Sequence, residues 1–154
     1  MTFTLTSNDF KDGEVLPDAQ VQDKGNTSPD LAWSGAPAGT KSFAITVYDP
    51  DAPTGSGFWH WTVANIPADV SEIPAGGPVP SGAVEGRTDY GAPGFGGAAP
   101  PPGHGPHRYI FTVFAVDTEK LDVTPEDSGA KYGFNLHFHT LAKASITATY
   151  ENKG

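Results

Sequence analysis

The chain contains no cysteine. That removes disulfides, a thiolate nucleophile and any zinc site built on sulfur. Basic residues are scarce: nine Lys and Arg stand against 18 Asp and Glu, for a formal net charge of −9. Binding nucleic acid or an anionic membrane requires a concentrated basic face, so neither is an expected partner. No window approaches the roughly 20 apolar residues needed to span a bilayer. The opening Met1–Thr6 segment has neither the basic start nor the apolar run of a secretory signal, so the expected location is the cytoplasm.

Turn-forming residues, by contrast, are abundant, with 19 glycines and 15 prolines among 154 residues. They are clustered rather than periodic, which points to short strands punctuated by loops and not to a fibrous or disordered chain. No internal repeat or low-complexity linker divides the sequence, and one domain over residues 1–154 is expected.

Five segments read as strands. Thr2–Thr6 and Ser145–Tyr150 alternate polar with apolar residues, the pattern of a half-buried strand. Ser42–Tyr48, Trp59–Ile66 and Arg108–Val116 are apolar at nearly every position, as expected of central strands covered on both faces. One helix is predicted, with Thr124 as N-cap, Pro125 at the first helical position and acids in the first turn, running to about Leu141. Gly129 and Gly133 count against it. The expected fold class is mainly β, two antiparallel sheets in a sandwich-like core with one or two peripheral helices.

Three clusters carry chemistry. Asp49-Pro50-Asp51-Ala52-Pro53 places two acids and two prolines at the end of a buried strand; its bland reading is an ordinary turn. In Phe58-Trp59-His60-Trp61, strand alternation places Phe58 and His60 on one face and both tryptophans on the other. The third is a long Gly/Pro loop from Tyr90 to Pro106, feeding His107-Arg108-Tyr109 at the start of a strand, with His107 and Tyr109 on one face and Arg108 pointing away. Loops of this length usually serve a function, and glycine lets backbone amides approach an anion closely.

Together with Gly25-Asn26-Thr27-Ser28-Pro29-Asp30-Leu31-Ala32-Trp33 and the C-terminal Ala-Ser-Ile-Thr-Ala-Thr-Tyr strand, these clusters resemble the phosphatidylethanolamine-binding protein family, and within it the bacterial Raf-kinase-inhibitor-like branch. The resemblance covers nearly the whole chain. It implies two antiparallel sheets and a pocket for phosphate, phosphorylethanolamine or a small carboxylate. Carried over position by position, it implies ligand-binding residues Asp49, Asp51, His60, Ala99, Pro101, His107 and Tyr109, with no metal or other cofactor. Ala99 stands where the family often has glycine, and the family's cis peptide would fall at Ala52–Pro53. The expected function is a ligand-binding or regulatory module of the kinase-inhibitor-like kind, with a phosphorylated group or a protein as partner and a homodimer as one assembly. The chain ends soon after Tyr150, without the C-terminal helix typical of animal relatives, which argues against carrying over their kinase inhibition.

Two ionised aspartates pointing inward would repel an anion. At least one is therefore expected to accept from His60 or from backbone amides, leaving the imidazoles, the Tyr109 hydroxyl and loop amides to face the ligand. The alternative function is a low-activity hydrolase using His60 or His107 with an aspartate as an acid–base pair; no Gly-x-Ser-x-Gly elbow or phosphate loop accompanies it. A third reading makes the Tyr90–Pro106 loop a protein interface. His104 reads as a solvated loop residue. His137 and His139 lie about 200° apart on the predicted helix, which favours packing over metal binding.

Overall fold

The computed structural model describes residues 2–154. Eight strands, one 3-10 turn (Asp18–Gln20) and one α-helix follow in chain order: β1 (Thr4–Thr6), β2 (Leu31–Ser34), β3 (Ser42–Asp49), β4 (Phe58–Pro67), β5 (Glu72–Ile73), β6 (Val84–Glu85), β7 (His107–Val116), α1 (Gly129–His139) and β8 (Thr140–Tyr150). They form two antiparallel sheets, ordered β1-β2-β5 and β6-β4-β3-β7-β8. No helix among the described residues is long and apolar enough to cross a membrane.

The central strands β3, β4 and β7 are mostly apolar and buried because both faces of the larger sheet are covered. On one face Phe43, Ile45, Val47, Phe111 and Val113 pack with Leu5, Leu31 and Trp33 of the smaller sheet. On the other, Ala44, Ala64 and Val116 meet Tyr132 and Leu136 of α1.

The helix departs from its expected bounds at both ends. Thr124 closes a turn instead of capping the helix: its amide donates to Asp127 Oδ2 at 2.8 Å and its carbonyl accepts from the Asp127 amide at 3.1 Å. Ser128 is the N-cap, its side chain accepting from the Lys131 amide. At the far end Thr140 leaves the helix, and residues 140–150 pair with β7 from Thr140 opposite Val116 to Tyr150 opposite His107, with one irregularity at Leu141. The C-terminal strand therefore begins five residues earlier than alternation suggested, whereas β1 is shorter than expected. Gly129, which argued against a helix, is required by packing: a Cβ there would lie 2.2 Å from the Trp59 indole.

β4 is bulged beside the site. Val47 pairs with Trp61 and the adjacent Tyr48 with Trp59, so His60 is an extra residue in the ladder. The expected common face for the two tryptophans is thereby broken. Trp61 joins the core between the sheets, while Trp59 lies over Gly129 of α1 and against the Tyr48 ring at 4.5 Å.

Candidate functional site

The end of β3 and the starts of β4 and β7 meet at one end of the larger sheet. Around that end lies a cavity of about 190 Å³, lined by Asp49, Ala52, Pro53, Thr54, Phe58, His60, Tyr90, Ala99, Pro101, His107 and Tyr109. The volume is below that of pockets for drug-sized molecules, so the cavity suits a small group. Its floor is buried: Asp49, His60, His107 and Tyr109 are 2%, 3%, 1% and 1% exposed. The rim is supplied by the loop after β3 and by the long loop before β7. No Lys or Arg lines it.

Six of the seven residues singled out from the sequence meet at this cavity; Asp51 does not. The two aspartates divide their work. Asp49 keeps both oxygens inside the protein, Oδ1 accepting from the Asp51 amide at 2.7 Å and Oδ2 from His107 Nδ1–H at 2.7 Å. Asp51 turns outward and accepts from the Arg108 amide, Nε and Nη2 at 2.9, 3.0 and 2.8 Å. That guanidinium holds the Asp51 carboxyl down at about 2. The pair straps the loop after β3 onto β7, giving Arg108 a role although its side chain points away from the cavity.

His60 does not bond to an aspartate. Its Nδ1–H donates to the Gly96 carbonyl at 2.9 Å, which leaves Nε2 toward the cavity. Burial lowers the pKa of the ring, with the Gly96 and Gly97 carbonyls and the Asp49 and Asp89 carboxylates pulling the other way. Phe58, Tyr90 and Tyr109 surround it with ring centroids 4.7, 5.6 and 5.2 Å away. The Tyr109 hydroxyl is buried and has no hydrogen-bond partner among the described residues. Burial raises its pKa, as does the Asp49 charge; the Ala99 amide faces the oxygen and pulls slightly the other way without closing a hydrogen bond.

The loop amides are mostly unavailable to a ligand. Those of Gly96, Gly97 and Ala98 donate to the His60 carbonyl, Asn26 Oδ1 and the Gln20 carbonyl at 2.9, 2.8 and 3.1 Å. Pro100, Pro101 and Pro102 have none, and the Gly103 and His104 amides donate to the Asn152 and Pro101 carbonyls. Asn26, from the Gly25–Trp33 motif, thus acts from behind the cavity by holding Gly97. The expected cis peptide is also absent from the rim: among the described residues it occurs at Gly77–Pro78, and Ala52–Pro53 is trans.

Among the residues not singled out for the site, Tyr90 and His104 act on it most directly. Tyr90 covers one side of the cavity, its ring lying where a Cβ on Gly96 would come within 2.4 Å and its hydroxyl donating to the Gly97 carbonyl at 2.7 Å. Burial pushes that hydroxyl up to about 12. Its position at the head of the loop gave no sign that the chain folds back over His60. His104, expected to be solvated, is exposed but hydrogen-bonded: its Nδ1 lies 2.6 Å from His107 Nε2. Its spacing of three from His107 was the available signal.

The helix histidines stand apart. His139 Nδ1–H donates to Asp117 Oδ1 at 2.8 Å on the surface, and no cluster of three or more potential metal-ligating side chains occurs among the described residues. A roomier groove of about 420 Å³ runs along the outer side of the Ala99–Pro102 wall, past Lys24, Tyr150 and residues 151–154. It brings no buried polar side chain together, and Lys24 there is engaged by Asp18 at 3.5 Å.

Comparison with known proteins gives a consistent picture. Residues 6–151 match the family model described as phosphatidylethanolamine-binding protein. The Escherichia coli protein YbcL is 54% identical over 162 aligned residues, spanning 98% of this chain and 88% of YbcL. YbhB of the same organism is 54% identical over 156, spanning 95% and 98%. The crystal structure of Escherichia coli YbcL, described as a member of the mammalian PEBP family, superposes with a TM-score of 0.95 at 53% identity, covering 98% of this chain and 99% of that one. The Chlamydia trachomatis homologue CT736 superposes with a TM-score of 0.87 at 29% identity, covering 98% of each.

Proposed function

The chain belongs to the phosphatidylethanolamine-binding protein family, and from that premise we propose that it is a binding module that takes a small oxyanion, foremost a phosphate group, into the cavity between His60, His107 and Tyr109. The observation that carries the reading is the Tyr109 hydroxyl. It is a buried donor without a partner, on the floor of a cavity sized for a small group. Such a donor is costly to leave unsatisfied, and an anionic oxygen would satisfy it with a charge-assisted hydrogen bond. Asp49 does not oppose this as strongly as its charge alone suggests, because both its oxygens already accept hydrogen bonds. The aromatic and proline walls lower the local polarity and would strengthen the polar contacts that remain.

Calorimetric titration of the full chain with inorganic phosphate tests the proposal. Saturable binding, with nuclear magnetic resonance shifts centred on His60, Tyr90 and Tyr109, is expected. Shifts confined to surface lysines would sink it.

The Asp49–His107–His104 chain favours a second reading. A buried carboxylate orienting an imidazole is an arrangement that moves protons in general acid–base catalysis. A panel of ester and phosphoester substrates, with His107→Ala as control, separates the two. Turnover abolished by that change would make the chain a hydrolase.

A further inference from the structure

We infer that the cavity selects the protonated, singly charged form of a phosphomonoester or of inorganic phosphate, and that His60 sets this choice. The inference rests on the oxyanion-binding reading above and names its ligand class.

Among the described residues the His60 ring makes one hydrogen bond, to the Gly96 carbonyl at 2.9 Å. A carbonyl oxygen can only accept, so the contact with Gly96 fixes the proton on Nδ1. Nε2 is then a bare lone pair unless the ring takes up a second proton. Among the described residues no protein group is hydrogen-bonded to it. The ring is 3% exposed, and its burial opposes the second proton. The titratable groups around it are Asp49 from β3, Asp89 and Tyr90 from the long loop and Tyr109 from β7. Asp49 is engaged by His107 and by the Asp51 amide, and Asp89 accepts from the Trp59 amide.

The cavity therefore presents an acceptor, His60 Nε2, beside a donor, Tyr109 Oη, on rings whose centroids are 5.2 Å apart. An oxyanion that satisfies both must bring a proton on one oxygen and its charge on another. A protonated phosphomonoester does so, and its second pKa near 6 makes that form accessible around neutrality. Sulfate has the same shape and no proton. A phosphodiester, including the phosphate of an intact phospholipid headgroup, has none either. A dianion meets a further obstacle, since no Lys or Arg lines the cavity to balance a second charge next to Asp49.

Calorimetry on the full chain at about pH 6.5, close to the ordinary histidine value, compares four ligands. Inorganic phosphate is set against sulfate. Phosphorylethanolamine, a monoester, is set against glycerophosphorylethanolamine, the diester that stands for a lipid headgroup. A buried acceptor left facing an unprotonated oxygen costs about tenfold or more in affinity. The expected result is a phosphate preference of at least about tenfold over sulfate, the same for monoester over diester, and proton uptake measured between buffers of different ionisation enthalpy. His60→Gln, whose amide can donate as well as accept, should bring phosphate and sulfate close together; should that variant not fold, the ratios of the unmodified chain still decide. A preference below tenfold in the unmodified chain overturns the selection and leaves the oxyanion pocket standing. Binding of none of the four overturns both.

Discussion

His104 Nδ1 lies 2.6 Å from His107 Nε2, while the opposite nitrogen of the same His107 ring donates to Asp49 Oδ2 at 2.7 Å. An exposed loop residue thus closes a chain that ends on a buried carboxylate. With its proton on Nδ1, His107 Nε2 is an acceptor, and a protonated phosphate oxygen can reach it only by displacing His104. His104→Ala removes the competitor, and a neutral hydrogen bond is worth about 0.5–1.5 kcal/mol net. Phosphate affinity should rise by roughly two- to tenfold. Weaker binding in the same titration would show that His104 supports the ligand instead.

Tyr109→Phe separates binding from folding. The hydroxyl makes no hydrogen bond among the described residues, so its loss should leave stability unchanged or raise it by up to about 1 kcal/mol. Phosphate binding should weaken by about tenfold or more, because a hydrogen bond to a charged oxygen is lost. Urea denaturation and calorimetry read the two effects separately; a destabilised variant would reveal an internal partner.

Asp51 stabilises the rim in a defined pH range. Its folded value of about 2 lies below the ordinary 3.8, so its contribution is complete above the higher value and is lost as pH falls toward the lower. The pair is partly exposed, with side-chain exposures of 56% for Arg108 and 30% for Asp51, and it is worth about 0.5–1 kcal/mol. Asp51→Asn should lower stability by that amount at neutral pH and match the unmodified chain at the acid end. Denaturation curves across the acid range check this. A deficit undiminished at low pH would assign the stabilisation to something other than charge.

Acidification also acts through His60. Burial holds its folded pKa below the ordinary 6.5, so the unfolded chain binds the proton first and stability falls as pH drops below that value. Replacing His60 with Gln should flatten this part of the stability profile, measured by thermal denaturation between about pH 7 and 5.

Gly129→Ala reverses the usual helix rule. Alanine is the better helix former, but its methyl group would press into the Trp59 ring. Overpacking of this kind costs about 1–3 kcal/mol, and a lower urea midpoint should follow. An increase would mean that Trp59 yields easily.

Much of this molecule was legible in its residues. Ser42–Tyr48 and Arg108–Val116 read as buried strands because covering both faces of a sheet demands continuous apolar sequence. The site segments were visible because their residue types are unusual at strand ends. The helix bounds were misread for a physical reason: Thr124-Pro125 satisfies the same local rules as a helix start but closes a turn, and Thr140–Tyr150 is fixed by pairing with β7. The short strands Glu72–Ile73 and Val84–Glu85 have too few residues to carry a pattern. Loop amides looked available because the sequence records where a donor exists but not which acceptor it finds.

The extra residue in β4 has a consequence for how this fold can change. Alternation is a counting rule, and one inserted position resets the count between Trp59 and Trp61. The cavity end of the strand and its core end are thereby placed in separate phases. Substitutions at Phe58 or His60 can retune what the cavity accepts without disturbing which side chains face the partner sheet. A chain lacking that single position would regain its pairing opposite Val47 and Tyr48 and lose the histidine that lines the cavity. In this strand, recognition hangs on a spacer.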